Sequence, residues 1–181
     1  MADTYLLDTS VATIAWDGLH PEHSQIRSRL AAFGDDSIFV CAISTGDKEY
    51  GLRVYTLIDV ARSQAIRDAW RQYQILSIDH HTGKVYGQLR GALFRLYGTR
   101  KSRDRIKEKW PESLVDKTTG RELGIQENDL WIVSVAVQYD LHLITRDGNE
   151  GMRRVLGVAN DEFGYNRVEI WPVSASGGSH S

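Results

Sequence analysis

Short apolar runs alternate with segments of helical periodicity along most of the chain. The apolar runs of the N-terminal half are Tyr5–Leu7, Ile38–Ile43 and Gln74–Ile78. Apolar side chains recur every three or four residues in the segments 11–15, 24–33, 44–58, 63–73 and 82–97. The short runs, rich in β-branched and aromatic residues, predict strands, and the recurrence at three to four residues predicts amphipathic helices.

This alternation is interrupted once and then resumes. Residues 98–123 are polar and dense in charge, so we predict a basic insertion or mobile loop. The following segments are predicted as a nearly all-apolar helix over Asn128–Tyr139, a strand over His142–Thr145, a short helix after the turn at 148–151 and a last strand over Val168–Trp171. The low-complexity end, SASGGSHS, predicts a disordered tail over 173–181.

The order of these elements predicts the fold class. Alternating strands and helices form a mostly parallel sheet with helices on both faces, which makes a three-layer α/β/α sandwich. The chain of 181 residues is within the size of one domain, to which we assign residues 1–172. In such a sheet the functional site lies outside the carboxyl ends of the strands.

Composition excludes several protein classes. A hydrophobic content of 41% with five tryptophans argues against a disordered chain, collagen or a coiled coil. The single cysteine makes no internal disulfide, and the start MADTYLLDTS does not read as a secretory signal, so we expect a cytoplasmic protein. No apolar run reaches the roughly 20 residues of a membrane helix, and we expect no membrane association.

Four aspartates occur where the predicted fold brings chain ends together. Asp8 and Asp147 each follow a strand, Asp47 lies in the helix after the second strand, and Asp129 begins the apolar helix. Taken singly, each is also typical of a turn or a helix cap. Together they repel one another unless protons or cations neutralise them. All-oxygen ligands suit Mg²⁺ or Mn²⁺, and such ions serve phosphodiester hydrolysis, so we expect all four to be catalytic.

Several segments resemble motifs of the PIN-domain ribonucleases, in particular the VapC-type toxins of type II toxin–antitoxin pairs. They are Tyr5–Val11 (YLLDTSV), Val85–Arg90 (VYGQLR), Gly124–Ile132 (GIQENDLWI, similar to IGxNDxxIA) and Leu143–Asp147 (LITRD). The match covers most of residues 5–156 in the right order. The resemblance implies a PIN-like α/β/α sandwich and an endoribonuclease that depends on Mg²⁺ or Mn²⁺.

The resemblance also implies roles for individual residues and for partners. Asp8, Asp129 and Asp147 take the metal-binding aspartate positions, with the Ser10 hydroxyl and the Asn128 amide supporting them. A VapC-type toxin is further expected to form a homodimer and to be inhibited by a cognate antitoxin protein that blocks the acidic groove. The expected substrate is structured RNA such as tRNA.

The chain departs from the family pattern at the second acidic position. The family usually has Glu in a stretch like GELxYG, where this chain has Gly46–Gly51 (GDKEYG), which puts Asp47 in the Glu position. Aspartate is one methylene shorter, and Glu49 is the alternative ligand. Because residues two apart on a helix face different ways, the two do not share the role. A catalytically weakened PIN domain that binds RNA or protein without cutting is therefore a second hypothesis.

Charge is distributed unevenly. The net charge of −2 argues by itself against a nucleic-acid partner. Residues 90–109, however, hold eight basic and two acidic side chains, a charge of +6 that leaves −8 for the rest. This segment is either a solvated surface or a phosphate clamp beside the metal site. The predicted RNA contacts are Arg100, Lys101, Arg103, Arg105 and Arg146.

Two further points complete the expectations. Trp110, at the end of the basic segment, either packs against the protein or stacks on an unpaired base. A Mg²⁺-dependent phosphatase on a similar sheet is a third hypothesis. It is disfavoured because Asp8 is followed by Thr9 and Ser10 rather than by the pattern DxDxT.

Overall fold

Five short strands form one all-parallel sheet. They are β1 (Tyr5–Leu7), β2 (Ile38–Cys41), β3 (Gln74–Leu76), β4 (His142–Thr145) and β5 (Val168–Ile170). The spatial order is β3-β2-β1-β4-β5, with β1 at the centre. The structure is a computed structural model, and it describes residues 3–34, 37–55 and 59–172.

Helices cover both faces of the sheet. The helices are α1 (Thr9–Trp16), α2 (His23–Ala31), α3 (Ala42–Val54), α4 (Val60–Trp70), α5 (His80–Tyr97), α6 (Glu127–Tyr139) and α7 (Glu150–Phe163). Successive side chains of a strand point to opposite faces, so Leu7 packs with α1 and α2 while Leu6 packs with α5, α6 and α7. The predicted three-layer α/β/α sandwich is confirmed.

The order of the strands places the functional edge. The chain proceeds from β1 outward to β2 and β3 and then returns to the other side of β1 with β4, so the direction of winding changes beside β1. Leu7, the last residue of β1, pairs with Val40 on one side and Ile144 on the other. Ligands of open α/β sheets bind at such a switch point, and Asp8 and Asp147 both lie there.

The insertion is folded onto the domain. Two antiparallel bridges, Arg100 with Ile106 and Val115 with Glu122, close two short turns of chain. Short 3₁₀ helices occupy Ser102–Asp104 and Pro111–Ser113. Leu114 is fully buried in the core on the α5–α7 side, which anchors the segment. The expectation of a mobile loop missed this apolar anchor because one buried leucine makes no periodic pattern.

Element boundaries differ from the predictions at several ends. Helix α3 begins at Ala42, directly after Cys41, where a longer strand was expected. Helix α7 runs from Glu150 to Phe163 and is longer than the short helix predicted after the turn at 148–151. Tyr55, in the segment 44–58 that was predicted as an amphipathic helix, is 67% exposed. Leu57, Ile58 and the predicted tail over 173–181 lie outside the described residues. None of the described helices is both long and apolar enough to cross a membrane.

Candidate metal-dependent active site

Asp8 is held at the carboxyl end of β1 by two hydroxyl groups. Its backbone N–H donates to the Ile144 carbonyl at 2.9 Å, which extends the pairing of β1 and β4 by one residue. Asp8 Oδ2 accepts hydrogen bonds from Ser10 Oγ at 2.7 Å and from Thr145 Oγ1 at 2.6 Å. Only 4% of Asp8 is exposed, so the orientation of this carboxylate is fixed by protein groups.

Asp147 lies at the matching end of β4. Its backbone N–H donates to Thr145 Oγ1 at 2.9 Å, so the Thr145 hydroxyl connects Asp147 to Asp8. The Asp147 carboxylate accepts from the backbone N–H and the side-chain amide of Asn149, at 3.0 and 2.8 Å. Asn149 in turn begins α7 by accepting from the Met152 N–H, so the helix start and the carboxylate are positioned together.

Asp129 is the most buried carboxylate of the α6 N-terminal turn. It is 7% exposed, and its Oδ2 has no hydrogen-bond partner among the described residues. Burial, together with the charges of Asp8, Asp147, Asp47 and Glu112, raises the pKa of Asp129 to about 7, and burial is the largest cause. The four predicted aspartates therefore lie within electrostatic reach of one another.

Asp47, rather than Glu49, belongs to this acidic site. Asp47 Oδ1 accepts from the Asn128 side-chain amide at 2.7 Å, and Oδ2 lies 3.5 Å from Thr9 Oγ1. Burial and the charge of Asp8 raise the pKa of Asp47, although the hydrogen bonds from Thr9 and Asn128 oppose them. The Asn128 amide thus orients the Asp47 carboxylate, and its supporting role at a metal site stays a prediction.

Glu49 is turned toward another helix. Its carboxylate accepts two hydrogen bonds from Arg67 of α4, at 2.9 and 3.0 Å, and it pairs with Arg53 at 2.8 Å. These arginines lower its pKa, chiefly through the hydrogen bonds from Arg67. Lys48, which lies between Asp47 and Glu49, is half-buried within reach of the Asp17 charge. Of the two candidates for the second acidic ligand, Asp47 faces the other three aspartates and Glu49 faces α4, so Asp47 stays the predicted ligand.

Arg146 does not present its charge to solvent as an RNA contact requires. Its guanidinium donates two hydrogen bonds to the Glu22 carboxylate, at 2.6 and 2.9 Å, and only 7% of the side chain is exposed. Its backbone N–H donates to Ser10 Oγ at 3.0 Å. The prediction of RNA contact at Arg146 is corrected: a bidentate ion pair occupies the guanidinium, and the residue fixes the segment between Thr145 and Asp147.

The other predicted RNA contacts lie on the insertion. Residues 99–107 form a hairpin-like turn in which Thr99 and Lys107, and Lys101 and Arg105, are joined by backbone hydrogen bonds of 2.9 and 2.7 Å. Its exposed basic side chains are Arg100, Lys101, Arg103, Arg105 and Lys107. We call this segment, residues 99–107, the basic arm.

Three supporting residues were missed from the sequence. Thr145 was read only as the end of a strand, and Glu22 gave no signal because its partner Arg146 is 124 residues away. Glu112 lies in the polar insertion, yet its Oε1 accepts the Glu127 backbone N–H at 2.8 Å, at the start of α6. The motif LITRD could have identified Thr145, since its hydroxyl lies two residues before Asp147.

The donor set suits a hard divalent cation. In the part of the chain that the structure describes, neither lysine nor arginine forms an ion pair with Asp8, Asp47, Asp129 or Asp147. In the same residues, no three acidic, histidine or cysteine side chains stand close enough together to form a complete ion site. The unpartnered Asp129 oxygen, the mutual repulsion and the oxygen-only donors nevertheless fit Mg²⁺ or Mn²⁺, which keep water ligands.

Comparisons with known proteins support the fold. The chain matches no protein-family model, and no curated protein matches it in sequence. It is similar to a structure of VapBC2 from Rickettsia felis bound to a promoter DNA fragment, with 18% identity, a TM-score of 0.59 and coverage of 93% of this chain and 98% of that chain. It is also similar to VapBC-5 of Mycobacterium tuberculosis, with 20% identity, a TM-score of 0.52 and coverage of 96% and 100%.

A third similar structure is FitAcB from Neisseria gonorrhoeae, with 19% identity, a TM-score of 0.54 and coverage of 84% of this chain and 93% of that chain. TM-scores above 0.5 over most of both chains establish a common fold, whereas identities of 18–20% leave the chemistry to be argued from the site. The chain therefore shares the fold of these VapBC and FitAcB structures.

Proposed function

We propose that this protein is an endoribonuclease that depends on Mg²⁺ or Mn²⁺ and acts as the toxin of a toxin–antitoxin pair. The observation that carries the proposal is the buried Asp129 carboxylate, which has an unpartnered oxygen and lies in the field of Asp8, Asp147 and Asp47. A divalent ion bound by Asp8, Asp129 and Asp147 would supply a positive charge for the scissile phosphate and a water of lowered pKa.

The protein groups around the site have defined tasks in this proposal. Ser10 and Thr145 hold Asp8 in one orientation, Asn149 holds Asp147, and Asn128 holds Asp47. Such supporting hydrogen bonds keep metal ligands oriented, and their loss commonly reduces metal affinity or activity about 10–100-fold. The basic arm offers phosphate-binding cations on the same domain, as an RNA substrate requires.

A cleavage assay with two matched variants tests the proposal. Purified protein is incubated with total tRNA and Mn²⁺, with and without excess EDTA. Asp129→Asn should abolish cleavage. Asp140→Asn should not, because Asp140 caps the opposite end of α6 in a left-handed conformation that asparagine tolerates. Cleavage that survives EDTA, or that Asp129→Asn leaves intact, would refute the proposed chemistry.

Toxin action has its own test. Induced expression of the wild-type chain in a bacterial host should arrest growth, whereas Asp129→Asn should be tolerated at the same protein level. We propose an antitoxin partner because structures with this fold include toxin–antitoxin complexes. We propose a homodimer on the family resemblance alone, and light scattering of the purified protein tests it.

A second function is favoured by one feature of the site. Asp47 stands where the family has glutamate, and its Oδ1 is engaged by Asn128 at 2.7 Å. A catalytically weakened domain that binds RNA without cutting is consistent with this shorter, occupied side chain. Asp47→Glu distinguishes the two functions, since a large gain in cleavage would show that the native site is impaired. Unchanged or reduced cleavage would show that Asp47 suits this site.

A further inference from the structure

Trp110 is a large aromatic residue that the fold leaves exposed beside the acidic site. It is 59% exposed, in contrast to Trp16 and Trp171, which are both 1% exposed. The residue that follows it, Pro111, is buried. The backbone at Trp110 is therefore anchored while the indole remains in solvent.

The indole is held from one side by a network of contacts. The Arg90 guanidinium lies over the ring, 5.9 Å from its centre, and donates a hydrogen bond to the Lys109 carbonyl. The same guanidinium donates to the Tyr86 hydroxyl at 2.5 Å, and that hydroxyl donates to Glu127 Oε1 at 2.5 Å. Trp110 is thereby linked, through the side chains of Arg90 and Tyr86, to Glu127, the first residue of α6.

A second link connects this part of the insertion to the acidic site. Glu112, two residues after Trp110, accepts the Glu127 backbone N–H at 2.8 Å. Its charge contributes to the raised pKa of Asp129, so Glu112 lies within electrostatic reach of that carboxylate. Trp110 therefore lies in a segment that is hydrogen-bonded to the start of α6, the helix whose first turn carries Asp129.

The charge around Trp110 identifies the kind of ligand. Lys107 and Lys109 precede it along the chain and are exposed, and the basic arm continues with Arg103 and Arg105. Successive cations that end in an exposed aromatic ring are the arrangement that single-stranded nucleic acid requires, since the cations bind phosphates and the ring binds a base.

We propose that Trp110 is a specificity-determining residue that stacks on one unpaired base of the RNA whose phosphate reaches the acidic site. This inference rests on the proposed function and deepens it, because it selects RNA with a single-stranded segment, such as a loop, over a continuous duplex. Bases in a duplex are already stacked and cannot be offered to the indole.

Abasic scanning of a bound oligonucleotide tests the proposal without cleavage. A fluorescein-labelled 12-nucleotide single-stranded RNA is titrated in EDTA, and one base at a time is removed from it. In the wild type, one abasic position should weaken binding roughly 5- to 140-fold, which corresponds to the about 1–3 kcal/mol that a base–aromatic stack contributes. In Trp110→Ala, the intact RNA should bind with the same loss, and that abasic position should have no further effect.

Two variants control for general effects. Trp110→Phe keeps an aromatic face and should retain most of the affinity. Tyr139→Ala removes an exposed aromatic ring, 42% exposed, at the opposite end of α6 and should leave affinity unchanged. Trp110 is exposed, so Trp110→Ala should unfold at the wild-type temperature.

The outcomes are separable from those of the cleavage assay. Equal affinity of Trp110→Ala and wild type, or an abasic penalty that persists in Trp110→Ala, would overturn the proposal. So would a Trp110→Ala protein that changes only its oligomeric state, which would assign the ring to a protein contact. If the abasic effect holds and no cleavage is detected, the nuclease proposal fails while the base-binding role of Trp110 stands.

Discussion

The Thr145 hydroxyl donates a 2.6 Å hydrogen bond to Asp8 Oδ2 and accepts one of 2.9 Å from the Asp147 backbone N–H. One fully buried hydroxyl thus orients the Asp8 carboxylate and holds the backbone of Asp147, two acidic residues that are 139 residues apart in sequence. The site depends on this hydroxyl as much as on the acidic side chains, because carboxylates that repel one another need donors to hold them in place.

Thr145→Val should reduce cleavage about 10–100-fold, since it keeps the shape of the side chain but removes a partner that orients a ligand. The absence of these hydrogen bonds should also lower the free energy of unfolding by about 1–3 kcal/mol. Steady-state cleavage and urea unfolding measure the two effects. Thr145→Ser, which keeps the hydroxyl, is the control, and equal activity of the valine and serine variants would contradict the role assigned to Thr145.

The pair of Arg146 and Glu22 should contribute to stability and site geometry rather than to RNA affinity. Arg146→Met leaves the Glu22 carboxylate, 22% exposed, without its bidentate partner and should destabilise the fold by about 3 kcal/mol or somewhat less. The double variant Glu22→Gln, Arg146→Met should recover part of this loss. RNA affinity in EDTA should stay near the wild-type value. A clear loss of RNA affinity in folded Arg146→Met would restore the original prediction of an RNA contact.

Stability should depend on pH through Asp129. Its folded-state pKa of about 7 lies above the ordinary value of 3.8, so the metal-free native state binds this proton more tightly than the unfolded chain does. The Asp129 proton therefore contributes to the free energy of unfolding in full below about pH 4. This contribution is lost as pH rises through 7, by at most about 1.4 kcal/mol per pH unit. Denaturant unfolding in EDTA at pH 5 to 8 should show this loss in wild type relative to Asp129→Asn. Parallel pH profiles of the two proteins would contradict it.

A close backbone approach holds α7 against the loop before α6. A Cβ at Gly151 would lie 1.9 Å from the Gly124 carbonyl oxygen, so Gly151→Ala must displace the N-terminus of α7, near Asp147. We expect a loss of about 1–3 kcal/mol or more and reduced cleavage. Gly157 lies on the same helix with no atom within 4 Å of the added Cβ, and Gly157→Ala should stabilise by up to about 1 kcal/mol. Thermal unfolding of both variants checks the contrast.

The basic arm should bind phosphates through charge. Replacing Arg103 and Arg105 by glutamine should weaken single-stranded RNA binding and reduce the slope of log affinity against log salt by about 0.7 for each phosphate that the arm no longer neutralises. The control replaces two other exposed arginines by glutamine, Arg27 on α2 and Arg71 just after α4. A salt slope that is unchanged in the arm variant would assign the arm to another role.

The sequence predicts the parts of the site that follow from strand ends. The positions of Asp8 and Asp147 are predictable because β1 and β4 are short and apolar. The residues that follow a buried strand lie at the edge of the sheet. Asp129 was located because the helix it begins is almost entirely apolar and must return to the sheet. These inferences need only local periodicity and the rule that parallel strands share one functional edge.

What remained open depends on tertiary partners. Asp47 and Glu49 lie on the same short helical stretch, and only the position of Arg67 on α4 shows that Glu49 is turned away. The sequence predicts an RNA contact at Arg146 because nothing local indicates its ion pair with Glu22, which comes from a distant loop. The anchor of the insertion, Leu114, was missed because a single buried leucine carries no period.

The central position of β1 has a consequence for synthesis of the protein. Leu7 pairs with Val40 of β2 on one side and with Ile144 of β4 on the other. The pairing of β1 is therefore complete only after β4 has been synthesised. Thr145 and Asp147 are made after the other three aspartates, at the end of β4. A chain that stops before Thr145 therefore lacks both Asp147 and one of the two hydroxyl groups that orient Asp8, so the four aspartates are assembled only once β4 has joined β1.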